Sequence, residues 1–165
     1  MDQVPQTVPL EGLEGDTDGV GAATAWGKTP KESVQAECAR RGKPAVVEGC
    51  IALVESRAAD PQLIVALGGP PARWAVTGGQ GGPPYWLRVW GARGLLWAWD
   101  DAATEVIIAA LRDESWRVRE MALRVLARHE VGSALLSVAE LQDDPVARVR
   151  AMAARTLARL TRAGA

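Results

Sequence analysis

The second half of this chain repeats itself every 31 residues. Leu87-Arg88-Val89-Trp90-Gly91, Val118-Arg119-Glu120-Met121-Ala122 and Val149-Arg150-Ala151-Met152-Ala153 align without a gap. The register continues through Arg93, Arg124 and Arg155, then through Leu95, Leu126 and Leu157. Two shorter apolar stretches, 102–111 and 133–141, separate the three segments. Apolar residues at helical spacing, broken by short turns, make each period a helix, a turn and a second helix. A single pair of this kind cannot bury its own apolar face, so a fixed period requires the pairs to stack. The expected fold is all-α: an α-α superhelix, or solenoid, of antiparallel helix pairs.

The recurring phrase is apolar-Arg-x-x-small-x-x-x-Leu. It is preceded by Leu-x-Asp, as in Leu111-Arg112-Asp113 and Leu141-Gln142-Asp143. This resembles the HEAT repeat, in particular the short bacterial HEAT-like repeats. The likeness is good over residues 85–162 and loose over 30–67. It implies a fold far more than an activity, since such repeats occur in scaffolds, regulators, chromophore-lyase subunits and a group of DNA glycosylases. It also implies that Arg88, Arg119 and Arg150 pair with an aspartate of the adjoining repeat. Asp100, Asp101, Asp113, Asp143 and Asp144 are the candidates.

Ahead of the repeats the chain is less regular. Residues 1–27 are rich in Gly, Asp, Pro and Thr and poor in large apolar groups, a composition that buries too little to offset ordering entropy. A flexible acidic tail is expected there, followed by one helical domain over 28–165. Thr29 and Pro30 suit the cap and first position of a helix that Gly42 ends near Arg41. Pro44 opens a second, over about 45–57, and Asp60-Pro61 a third, through Leu67. Residues 68–84 hold two Gly-Gly and two Pro-Pro pairs around Arg73-Trp74-Ala75-Val76, which excludes a long regular element. A loop of that length covers one end of the stack, acts as a lid over a ligand, or is disordered.

Placed at 100° intervals, Val118, Met121, Ala122, Val125, Leu126 and His129 share one sector of the middle helix, its expected buried face. The opposite flank is cationic. Arg117, Arg124 and Arg128 fall within about 40° of one another, and Arg148, Arg155 and Arg159 repeat the arrangement. The first helix has Trp86, Arg93 and Trp97 at the equivalent positions. Side by side, the three helices would present seven arginines edged by two tryptophans. Such a face is either plain solvated surface, a site for a polyanion or an acidic protein, or a seat for the chain's own acidic segment 11–18. Guanidinium forks suit carboxylate and phosphate, and indoles stack on rings and bases.

Composition narrows the function classes. Net charge is −1 and the sequence pI near 5.9, without an overall nucleic-acid signature. Cys38 and Cys50, with His129 the one histidine, cannot build a four-ligand zinc site, and free thiols are expected. The first residues lack the pattern of a secretory signal, and no apolar run reaches membrane-spanning length, so a cytoplasmic protein is expected. No nucleophile elbow, phosphate loop or metal cluster marks a reaction; no catalytic residue, metal or cofactor is assigned. The expected function is therefore a non-catalytic interaction module whose arginine face meets an acidic protein partner. Nucleic-acid binding is the alternative. A glycosylase using Asp100 or Asp101 beside Trp97 and Trp99 is a remote third. The small position at the centre of each buried face yields a first test. Leucine at Ala122 or Ala153 should overpack the stack and cost about 1–3 kcal/mol in urea unfolding.

Overall fold

The computed structural model describes residues 27–165, so the N-terminal tail expected over 1–27 lies outside the described residues but for Gly27. Every regular element among the described residues is helical. In chain order these are α1 (Pro30–Arg41), α2 (Lys43–Val54), α3 (Pro61–Gly68), α4 (Trp74–Thr77), α5 (Tyr85–Gly94), α6 (Thr104–Ala110), α7 (Trp116–Arg128), α8 (Leu135–Glu140) and α9 (Ala147–Ala163). None is long and apolar enough to cross a membrane.

The starts and stops follow local chemistry. Thr29 and Glu32 form a reciprocal capping box at α1, and Gly42, at φ 89°, ends it in a conformation most side chains avoid. The Asp60 carboxylate accepts the Gln62 N–H at the head of α3. The 68–84 segment is not featureless: one 3-10 turn (Pro70–Ala72) and the single turn α4 sit between its glycine pairs. The stretches expected as helices over 102–111 and 133–141 each begin with a 3-10 turn, which shortens α6 and α8 to 7 and 6 residues.

The helices α2, α5, α7 and α9 pack consecutively, each against the next, while α3, α6 and α8 back onto α5, α7 and α9 respectively. One apolar cluster runs from Val34 in α1 to Leu160 in α9. The α2–α5 contact is especially close. A Cβ on Gly91 would stand 2.7 Å from the Cys50 carbonyl oxygen and 2.8 Å from Leu53 Cβ; one on Gly94 would meet the Cys50 sulfur at 2.6 Å. Glycine is needed there because backbone and thiol of α2 occupy the space of a methyl group. The matching Ala122 and Ala153 are fully buried.

The buried face of α7 is wider than one sector. Leu123 and Ala127 are buried as well as Val118, Ala122, Val125 and Leu126, while Met121 and His129 are only half-buried. The reason is position: α5, α6 and α9 all pack on α7. His129 stacks on Trp99, ring centres 4.5 Å apart, and its Nε2 lies 2.8 Å from the Leu95 carbonyl oxygen. Burial lowers its pKa against the opposing pull of that carbonyl.

A polar ladder repeats along the long helices with the 31-residue period. Arg88 donates through Nε and Nη2 to both carboxylate oxygens of Asp113, at 2.7 and 3.1 Å. Arg119 does the same to Asp144, at 2.8 and 3.0 Å. Each aspartate also accepts a backbone N–H two residues on, from Ser115 or Val146, both at 2.8 Å. Each aspartate's carbonyl then receives the next arginine: Arg119 Nη1 on Asp113 at 2.9 Å, Arg150 Nη1 on Asp144 at 2.7 Å. One rung therefore joins two helices and orders the turn that starts the second. Of the five candidate aspartates, Asp113 and Asp144 take this place. Asp100 instead caps the turn before α6, and Asp101 accepts the Trp99 indole N–H.

Burial alone would raise the Asp144 carboxyl, but the Arg119 fork and the Val146 N–H outweigh it and hold its pKa below the usual carboxylate range. A folded value below the unfolded one means stabilisation that is complete above about pH 4 and is lost as pH falls through the folded value. Asp144→Ala should lower unfolding free energy by about 2–4 kcal/mol in urea at pH 7, whereas Asp143→Ala, exposed next door, should be near neutral. Asp144→Asn should flatten the acid limb of the stability–pH curve.

Candidate functional site

The flank of α5, α7 and α9 that carries the arginines is ordered by its rings. Residues 86, 117 and 148 share one register position, and the structure brings them together. The Arg117 guanidinium carbon lies 4.5 Å from the Trp116 ring centre, 5.6 Å from Trp86 and 5.7 Å from Tyr85. Arg148 lies 5.7 Å from Trp116. Rings and cations thus alternate from α5 across α7 to α9. Each guanidinium gains from the electron-rich ring faces and loses freedom, so the surface is preorganised.

Beneath this row sits Glu120, its side chain only 8% exposed. Arg124 Nη2 donates to it at 2.9 Å, and Arg148 Nε reaches both of its oxygens at 2.9 and 3.0 Å. The carboxylate therefore ties α7 to α9 and neutralises part of the face. From sequence, Glu120 reads only as the acid one turn before Arg124; that it faces inward toward α9 follows from the packing of a second helix.

Three expected members of the face fall elsewhere or change character. Arg93 is not on it. Its Nη2 donates to the Leu67 carbonyl at the end of α3, and burial draws its pKa down to about 10, which still leaves it charged at neutral pH. There it satisfies one of the carbonyls that a helix C-terminus leaves open. Trp86 is buried at 8% exposure and offers the surface only its contact with Arg117. Trp97 is half-buried against the core. Arg93, Arg124 and Arg155 consequently do not form a column: they reach α3, Glu120 and the Met152 sulfur of α9 respectively.

On the outer part of the face, Arg128, Arg155 and Arg159 are exposed. Arg159 reaches Glu130 at 3.3 Å. Among the described residues, no carboxylate pairs with Arg117, Arg128 or Arg155, which leaves one unpaired charge in the ring row and two further along α7 and α9. Tyr85 and Trp116 were missed as members of the site; the signal was their place immediately before residues 86 and 117 at the head of each helix. Cys38 and Cys50 are free, and burial lifts the Cys50 thiol to about 12.

Compared with known proteins, the chain matches no family model and no curated protein. The face is therefore read from its own chemistry. Glu120→Gln keeps the shape and removes the shared negative charge. It should lower stability by about 1–3 kcal/mol in urea unfolding. The loss should shrink in an Arg124→Met, Arg148→Met background, as measured by a double-mutant cycle.

Proposed function

We propose that this chain is a HEAT-like α-solenoid that acts as a non-catalytic interaction module, holding an acidic protein segment against the α5–α7–α9 flank. The 31-residue polar ladder supports the solenoid reading. The observation that carries the binding reading is the row Trp86–Arg117–Trp116–Arg148, with Arg117, Arg128 and Arg155 left without carboxylate partners among the described residues. Arginines held on ring faces lose little freedom when a carboxylate arrives, and planar forks bind carboxylates through two hydrogen bonds.

An acidic peptide suits this face better than nucleic acid. Trp116 already lies against Arg117 and Arg148, and Trp86 is buried, so a base stacking on either indole would compete with a guanidinium or with the core. The buried Glu120 also lowers the local positive potential that a phosphate backbone would need.

The test is direct titration of the full chain with a fluorescent oligoglutamate peptide and with a DNA duplex, each over a salt series. The peptide should bind, weaken as salt rises, and lose at least about tenfold in affinity with Arg117→Glu and Arg155→Glu together. Helical circular dichroism should be unchanged. Glu120→Gln should tighten binding. Duplex binding with a steep log–log salt slope, and none to the peptide, would replace this reading with the nucleic-acid one.

A further inference from the structure

Where the arginine row begins, on α5, Trp86 also lines a cavity of about 250 Å³. Its walls are the rings of Trp74, Trp86 and Trp90 together with Pro71, Pro83 and Leu87, and no charged or hydroxyl side chain lines it. Trp86 and Trp90 stack with centres 6.3 Å apart. Both are more than nine-tenths buried, and among the described residues neither indole N–H has a hydrogen-bond acceptor. Buried donors without partners are uncommon in folded proteins, because each has lost its water and gained nothing in return. Here two occur on stacked neighbours that both line one cavity, each N–H itself sealed from solvent.

The cavity's fourth side is a glycine-rich flap. Gly81 lies so close to the Trp74 ring that a Cβ there would stand 2.8 Å from it. Among the described residues, no hydrogen bond engages residues 79–82. The flap is thus held by van der Waals contact with an indole, the kind of cover that can part and re-form around a guest. A water molecule would find few partners among such apolar walls, whereas a cavity of roughly 150 Å³ suffices for benzene.

We propose that this cavity binds a small planar aromatic ligand carrying a carbonyl or carboxylate oxygen. The ring stacks offset against the indoles, as aromatic pairs prefer. The oxygen accepts from the Trp86 or Trp90 N–H once the flap has parted. A cationic ligand is disfavoured, since the Arg117 guanidinium already lies against the Trp86 ring, 5.6 Å from its centre.

Proton–nitrogen NMR of the full chain, titrated with acetophenone, benzoate and toluene, tests this. Acetophenone or benzoate should shift the indole N–H signals of Trp86 or Trp90 downfield and saturate. Toluene, with the same ring and no acceptor, should bind at least about tenfold more weakly. Phenylalanine at whichever of the two indoles shifts, Trp86→Phe or Trp90→Phe, keeps a ring, removes the donor and should erase that preference. Equal affinity for toluene and acetophenone would overturn the proposal. So would indole signals unmoved by either oxygenated probe, or binding of a proline-rich decapeptide in place of all three.

Discussion

The aspartate that takes one arginine from the helix before it and hands its carbonyl to the arginine after it is the joint on which this molecule is built. Asp113 and Asp144 each do three things at once: they neutralise a guanidinium from the preceding long helix, order the turn into the next, and position the following arginine. Apolar burial drives the helices together but has little preference about rotation. A two-pronged guanidinium–carboxylate contact has a strong one, because both prongs must align. The ladder therefore fixes α5 against the turn before α7 and α7 against the turn before α9, and with that which side chains of α5, α7 and α9 can meet on the flank.

That dependence explains the character of the arginine flank. Residues at one register position meet only if successive rungs repeat, and at positions 86, 117 and 148 they do. Trp86, Arg117 and Arg148, joined by Trp116, become one row of alternating rings and cations. Glu120 then locks the row from below by bridging Arg124 and Arg148. The same glutamate offsets part of the positive charge of the face.

Much of the fold was legible in the sequence because its determinants are local or periodic. Thr29-Pro30 and Gly42 mark α1 through capping chemistry alone. Arg88 and Arg119 announce the ladder because the same geometry recurs, whereas Arg150, which the resemblance also paired with an aspartate, hydrogen-bonds only to the Asp144 carbonyl. The choice of Asp113 and Asp144 among five aspartates was not legible, since it depends on which turn lies beneath each arginine. Arg93 was misplaced for a related reason: it belongs to the arginine column by register, but α3 ends beside it, and an open carbonyl there draws the guanidinium inward. The half-buried Met121 and the buried Leu123 and Ala127 show the limit of a helical wheel, which assumes one neighbour where α7 has three. The cavity walled by Trp74, Trp86 and Trp90 joins the 68–84 segment to α5, a juxtaposition no period encodes.

The close approach of α2 to α5 also shields a thiol. The Cys50 sulfur fills the space that a methyl group at Gly94 would need, and burial lifts its pKa to about 12, so the thiol stays protonated at pH 7. An alkylating reagent cannot reach it unless α2 and α5 part, and those helices share the core. Cys38, half-buried on α1, is screened far less. The two thiols of one chain therefore differ in access: Cys38 is partly exposed in the packed chain, whereas Cys50 is reached only when α2 and α5 separate.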